Sequence, residues 1–394
     1  MTEANLPLQA PCAYPVFFRT YSRRVNGQRE SWTQVCQRTV EDLAVLGRFT
    51  PEEKALVLEM QQQLKALTSG RWLWVGGTDW IHQPENFSGA YNCTSQRIVD
   101  WHSFGLMMDL AMQGAGTGAV LEPWYVQQLP PITTRLEVQV VGQPGEVPPE
   151  QRLQQTQVER QGTQVTIRVG DSRQGWVQAY QALLELASEP VEGGVWQVTV
   201  EVSHVRPQGE PLKGFGGIAN PALLPPLFPR VARILNKAVG RQLTPLECCL
   251  LIDEAAATVV AGNIRRSAGM RQFAAEDQEA ANAKANLWQQ DEQGNWRIDP
   301  ERDALRMANH TRVFHQKPSL ETCIASVRSQ YYSGEGAIQW AGEAVARANR
   351  DLLDTPEKKA RFLALYNESR EQARAYLREL LLEHVGKKDK ERSC

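Results

Sequence analysis

Gly114-Ala115-Gly116-Thr117-Gly118-Ala119-Val120-Leu121 is a glycine-rich turn that runs directly into an apolar segment. The helical run Phe104 to Gln113 precedes it. Helix, tight turn and buried strand in that order place the chain in the α/β class, with strands alternating with helices. The order also excludes one reading of the glycines. A dinucleotide fingerprint requires a strand before the turn and a helix after it, and no Walker lysine follows. If the turn is functional, its small residues let backbone N–H groups approach a sugar or phosphate. The plain alternative is a structural turn.

Working outward, the N-terminal part reads as helical. Ser31 followed by Gln34 is a capping box for a helix over about 32–45. Thr50-Pro51-Glu52-Glu53 combines an N-cap threonine, a first-turn proline and a capping glutamate, and predicts a helix to about Leu67. Ser69-Gly70 ends that helix, and Arg71-Trp72-Leu73-Trp74-Val75 reads as a short buried strand stopped by Gly76-Gly77. A second short strand ends near Asn92-Cys93.

Downstream, Leu136–Val140, Gln164–Arg168 and Trp196–Val202 alternate with period two, as half-exposed strands do. Gln143 to Glu150 is a Pro/Gly-rich surface loop. Gly175 to Ala187 is an amphipathic helix, and 130–175 reads as an insertion on a larger α/β body. Thr244-Pro245-Leu246-Glu247 repeats the cap and opens an apolar helix over about 245–261. Residues 276–308 are polar and exposed, and Gln330 to Gly336 is a turn-rich break. From Thr355 the chain is a charged helix, ending in a basic tail of low order over 386–394.

Composition limits the function. The 394 residues suffice for two to three domains, with 42% hydrophobic and 22% charged residues. A net charge of −2 provides no global basic field for DNA or an anionic membrane. No apolar run reaches the roughly 18 residues needed to cross a bilayer, and Met1 to Ala10 lacks a signal-peptide pattern. Seven cysteines without a CxxC pair read as reduced thiols in a cytoplasmic protein. The six histidines lack metal-site spacing, so no metal is expected. Asp253-Glu254 on the apolar helix are either catalytic acids or, as is usual for helix-edge acids, simply exposed.

Three further features carry chemistry. Cys93, between Asn92 and Thr94, is either a buried filler or a redox thiol. A redox role requires a second thiol, and none lies nearby in sequence. Arg265-Arg266, before the small Ser267-Ala268, either fork onto phosphates or stand solvated at a helix end. Lys213-Gly214-Phe215-Gly216-Gly217 is a second glycine-rich connection.

Taken together, these segments resemble the N-terminal half of the adenosylcobalamin-dependent, class II ribonucleoside-triphosphate reductases. The resemblance rests on Phe18-Arg19-Thr20-Tyr21-Ser22-Arg23, Ser69-Gly70-Arg71, Trp74 to Asp79, Asn92-Cys93, Gly114 to Gly118, Asp171-Ser172-Arg173-Gln174-Gly175-Trp176, Arg206-Pro207, Gly214 to Gly217 and Val260 to Ala268. It covers about 15–350. The resemblance implies a helical N-terminal region (1–70), then the first half of a ten-stranded α/β barrel (71–350) with the 130–175 insertion as effector-site candidate, then a charged helix and tail (351–394). It implies that Cys93 is one of two thiols oxidised to a disulfide during reduction. It implies that Ser69, Asn92, Ala115 and Gly116 line the substrate ribose and phosphates. It implies that Arg265, Arg266, Ser267 and Ala268 form a specificity loop, and that Asp100 contacts an effector ribose. The implied cofactor is adenosylcobalamin, held mostly by the C-terminal half. The implied partners are ribonucleoside triphosphates, deoxynucleotide effectors, thioredoxin or a similar dithiol, and that C-terminal half.

The sequence departs from the family by lacking the Asn-Pro-Cys-Gly-Glu segment of the radical cysteine, the second redox thiol, the phosphate turn and the C-terminal cysteine pair. Without a thiyl radical, 3′-hydrogen abstraction has no agent, so the expectation is an N-terminal fragment inactive alone. Cys394 fits an intein junction or a plain truncation. A nucleotide-binding relic or regulatory module, and the large subunit of a non-cobalamin reductase, are the alternatives. The insertion and the Asp171 to Trp176 run favour class II.

Overall fold

The computed structural model describes residues 11–212, 218–259 and 268–392. Helices open the described chain: α1 Ala13–Thr20, α2 Trp32–Gly47, α3 Pro51–Gln62 and α4 Gly70–Val75. Both expected capping boxes form, with Ser31 and Thr50 accepting from the backbone N–H of Gln34 and Glu53. Such a cap contributes about 1 kcal/mol. The second helix stops five residues short of the expected Leu67, because Leu64 takes a left-handed backbone (φ 58°) that breaks the helical ladder.

The Arg71–Val75 segment is helix α4, not a strand. Ser69 opens this helix rather than closing the previous one: its Oγ accepts from the Trp72 N–H at 3.2 Å. Phe17, Trp32, Val35, Cys36 and Leu73 bury together and join α1, α2 and α4 in a small core.

Strand β1 Cys93–Arg97, helix α5 Trp101–Met112 and strand β2 Gly116–Val120 begin the central sheet. A second sheet follows, built from β3 Arg135–Val141, β4 Gln157–Gln161, β5 Gln164–Arg168 and β6 Val195–Glu201, with α6 Arg173–Leu186 between its last two strands. Next come α7 Leu224–Lys237 and α8 Pro245–Val259. The central sheet resumes with β7 Gly269–Ala274 and β8 Ala308–Phe314, and ends after α9 Leu320–Ser333 with β9 Ala337–Trp340. Helices α10 Ala341–Ala348, α11 Pro356–Glu368 and α12 Arg370–Arg392 close the described chain. The segment expected to be a tail of low order is therefore helical to Arg392.

The central sheet has the order β9-β8-β7-β2-β1, and every pairing is parallel. The second sheet has the order β3-β6-β5-β4, parallel except for the β4–β5 hairpin. Strand β4 is exposed at all five positions and carries charged residues, which blunts a sheet edge against pairing with another chain. Helices α6 and α7 pack on the second sheet. They also contact α5 and α8, so the apolar interior is continuous between the two sheets. The fold is thus mixed α/β around a five-stranded parallel sheet. Among the described residues no helix is long and apolar enough to cross a membrane.

Candidate functional site

Parallel pairing sets Cys93 opposite Gly116, Thr94 opposite Thr117 and Ser95 opposite Gly118. Cys93 is the first residue of β1, not the last, and it is exposed. The Gly116 N–H donates to Asn92 O at 2.8 Å, and the Thr117 N–H donates to Ala268 O at 2.8 Å. Asn92, Cys93, Ala115, Gly116 and Ala268 therefore gather at the N-terminal rim of three adjacent strands. Ala115 is fully buried; Asn92, Cys93 and Ala268 are exposed.

This register explains the glycines. A Cβ on Gly116 would lie 3.0 Å from Cys93 Sγ, and one on Gly118 would lie 2.9 Å from Thr94 O. Both are closer than a side-chain carbon normally approaches. Gly114 closes the turn before them with φ 70°, where L-residues are strained. The glycine run leaves room for the cysteine sulfur and for close approach of two strands.

Arg71 holds the rim from behind. It is 2% exposed, and its guanidinium donates to Gly89 O (3.1 Å), to Gln113 O (2.8 Å) and to Gly114 O. Gly89 lies in the 3₁₀ segment Pro84–Ala90, which delivers the chain to Asn92-Cys93, while Gln113 and Gly114 deliver it to Ala115-Gly116. One arginine thus fixes both lips of the rim. Sequence reasoning quoted Arg71 only as part of a motif. A lone arginine in an apolar run, Arg71-Trp72-Leu73-Trp74-Val75, is the signal that marks it as buried and bonded.

Two of the expected site residues do structural work visible here. Ser69 caps α4, next to Arg71. Asp100 is exposed and caps α5, accepting from Ser103 N–H at 2.7 Å and from Ser103 Oγ at 2.6 Å. It follows the far end of β1, seven residues and roughly 20 Å of extended chain from Cys93. The structure does not bring Asp100 to the rim. Arg265, Arg266 and Ser267 lie outside the described residues, as does Lys213 to Gly217.

The Asp171 to Trp176 run meets the same segment from the second sheet. Ser172 caps α6 by accepting from Gly175 N–H at 2.9 Å. Arg173 donates to Glu85 O at 2.7 Å and pairs with Asp109 at 3.1 Å. Asp171 receives the Arg206 backbone N–H at 3.0 Å and its Nε at 2.8 Å. Asp171, Arg173, Trp176, Arg206 and Asn220 line a cavity of about 360 Å3 between the second sheet and the 84–90 segment. Burial pulls the Arg173 guanidinium below its usual range, against the opposing pull of Asp109. The 84–90 segment is thus gripped by Arg71 on the rim side and by Arg173 on the cavity side.

Asp253 and Glu254 are buried, contrary to expectation. Asp253 is fully buried and accepts from Arg271 at 3.0 and 2.7 Å, while Arg271 also donates to Thr117 O at 2.7 Å. Glu254 pairs with Arg230 at 3.3 Å. Cys249 Sγ lies 3.3 Å from Asp253 Oδ2 and 3.6 Å from His310 Nε2. These three groups have donor atoms within 4.8 Å of one another. Asp253 is already committed to Arg271, and burial together with Lys284 and Arg271 pushes His310 down to about 3. The cluster reads as a buried tie between α8 and the sheet.

Comparison with known proteins bears on the family and the fold. Residues 145–235 match the family model of the B12-dependent ribonucleotide reductase insertion domain. The adenosylcobalamin-dependent ribonucleoside-triphosphate reductase of Levilactobacillus brevis is 29% identical over 324 residues, covering 70% of this chain and 43% of that protein. The enzyme of the same name from Lacticaseibacillus paracasei is 28% identical over 310 residues, covering 66% and 41%. A crystal structure of a B12-dependent, class II ribonucleotide reductase aligns with TM-score 0.60 at 22% identity, over 77% of this chain and 46% of that one. The aligned region spans less than half the length of the curated relatives it matches.

Proposed function

We propose that this chain, a relative of the adenosylcobalamin-dependent (class II) ribonucleotide reductases, carries the substrate- and effector-binding portion of such an enzyme. The observation that carries the reading is Cys93 exposed at the sheet rim, with Gly116 emptied of a side chain beside its sulfur. A ribonucleotide seated there presents its ribose to the thiol. Asn92, Ala115 and Gly116 leave space for the sugar, Ala268 joins the same rim by accepting from the Thr117 N–H, and Ser69 is assigned to the phosphates. In the reduction, the 2′-hydroxyl leaves as water and a hydrogen takes its place at C2′. Cys93 and a second thiol supply the two electrons by joining as a disulfide, which thioredoxin or another dithiol then reduces. The second thiol and the radical cysteine belong to a companion portion. Helix α9 supports this, since Leu320, Ile324, Val327 and Tyr331 stand exposed at helical spacing.

The cavity beside Arg173 is the candidate effector site. Its volume suits a nucleotide, and Arg206 and Arg173 offer guanidinium groups to phosphates. Both the cavity and the rim touch the 84–90 segment, which provides a physical connection between an effector and the placement of Cys93. Asp100 stays a weaker member of this assignment, because it caps a helix at the far end of β1. The cavity is too small for a corrin with its nucleotide tail. Adenosylcobalamin, which would supply the radical when bound, is assigned to the companion portion because the family resemblance implies it, and no step here runs through it. A cytoplasmic location follows from the same reading.

The test is reduction of CTP with adenosylcobalamin and a dithiol, using this chain alone and mixed with a companion portion carrying the radical cysteine. Turnover only on mixing, lost in Cys93→Ser with nucleotide binding retained, supports the reading. Unchanged turnover in Cys93→Ser removes this cysteine from the chemistry. Deoxynucleotide binding without turnover on mixing favours a binding module instead.

A further inference from the structure

The opposite end of the same strands holds a second concentration of charge. Arg97 is the last residue of β1, four residues from Cys93. Trp124 and Tyr125 follow β2 in the short helix Pro123–Val126. Arg370, Arg374 and Arg378 lie at i, i+4 and i+8 of α12, on one face of that helix. These six residues line one cleft of about 630 Å3.

The rings set the arginines in place. The Arg370 guanidinium carbon lies 4.6 Å from the centre of the Trp124 ring, and that of Arg97 lies 5.6 Å from the centre of Tyr125. Trp124 and Tyr125 meet edge to face at 6.0 Å. Trp124 also rests against the His315 ring at 4.9 Å, and His315 bonds Glu122 and Tyr366. The aromatic floor is therefore anchored to the body of the protein.

Among the described residues, none of the four arginines takes part in a hydrogen bond or ion pair with an acidic side chain. Glu371 also lines the cleft but makes no such pair. Several other arginines do have carboxylate partners, such as Arg241 with Glu247 or Arg152 with Glu210. Like charges at i, i+4 repel and weaken a helix. Stacking on rings fixes a guanidinium without neutralising it. Two ring-held guanidiniums, Arg97 and Arg370, and two more that line the same cleft, Arg374 and Arg378, match the charge of a triphosphate chain, and guanidinium forks recognise phosphate oxygens directly. The cleft volume falls in the range of small-ligand sites. A nucleic acid would need basic surface continuing beyond the cleft, and a net charge of −2 does not favour it.

We propose that this cleft binds a nucleoside triphosphate by its phosphate chain, at a site separate from both the Cys93 rim and the Arg173 cavity. The proposal does not rest on the assignment of either.

The experiment is isothermal titration of the 394-residue chain with ATP, sodium tripolyphosphate and adenosine. The variants are Arg374→Gln/Arg378→Gln, Arg97→Gln on the neighbouring strand, and Arg160→Gln as a control on the exposed strand β4, outside every assigned site. The expected result is that ATP and tripolyphosphate bind and compete, while adenosine does not bind. The double variant weakens both at least tenfold, roughly the loss of one charge-assisted bond. Arg97→Gln weakens them as well, and decides the matter if the double variant is unfolded by circular dichroism. Arg160→Gln leaves this binding unchanged. No binding by ATP and tripolyphosphate, or affinities indifferent to Arg97, Arg374 and Arg378, overturns the site. Adenosine binding as tightly as ATP overturns recognition by phosphate. A single-stranded oligonucleotide that binds more tightly than ATP, and is lost in the same variants, replaces the nucleotide with a nucleic acid.

Discussion

Replacing Arg71 by methionine tests whether one buried cation builds the rim. The substitution keeps most of the aliphatic stem and removes the guanidinium. Three backbone carbonyls, of Gly89, Gln113 and Gly114, then lose a donor. Hydrogen bonds from charged donors are worth about 1.5–3 kcal/mol each. The gross loss is offset by no longer burying a charge, which itself costs several kcal/mol. The net expectation is about 3 kcal/mol of lost stability, within the range for breaking a buried polar network. Guanidinium denaturation followed by tryptophan fluorescence measures it. A second readout separates rim from bulk: the rate at which a thiol reagent modifies Cys93 under native conditions. Loss of the arginine frees the 84–90 segment and changes that rate. A stability loss below about 1 kcal/mol together with an unchanged Cys93 rate refutes the account of Arg71.

Further outcomes follow from the buried polar cluster and the caps. Asp253→Asn leaves Arg271 buried without its countercharge and costs about 3–5 kcal/mol in urea denaturation, whereas Asp253→Leu with Arg271→Met recovers most of it. His310 titrates near 3 in the folded chain and near 6.5 when unfolded. The unfolded state therefore binds the extra proton between those values. The contribution is fully present above pH 6.5 and is lost as pH falls toward 3, by about 1.4 kcal/mol per pH unit. His310→Gln flattens that limb in pH-dependent denaturation, and an unaltered limb would remove His310 as its source. Thr50→Ala costs about 1 kcal/mol through the α3 cap, measured in the same denaturation assay.

Where structure follows from neighbours in sequence, the sequence was legible. Ser31, Thr50 and Thr244 each announced a helix that forms, because the cap oxygen and the backbone N–H it accepts from lie three residues apart. The alternating strands of the second sheet were legible for the same local reason, although polar β4 has no periodicity to reveal it. Arg71–Val75 misled because four apolar residues after an arginine fit a buried strand or one buried helical turn equally well. Asp253 read as a surface acid because its partner, Arg271, lies on a strand 18 residues away. The Cys93–Gly116 pairing was hidden likewise, since a glycine-rich run reveals a need for space but not whose side chain needs it.

Arg71 also bears on how freely this region can change. All three of its named contacts are main-chain carbonyls, so the identities of residues 89, 113 and 114 do not enter the bonds. A saturation scan should then be lopsided. Position 71 accepts almost nothing, because no other side chain spans two lips with a forked cation. Its recipients are limited instead by their own surroundings: the left-handed backbone at Gly114, and at Gln113 the buried side chain's bonds to Ser88 and Asp109. The segment can thus drift in sequence, and acquire new contacts to a ligand, while the frame that aims the cysteine stays where it is.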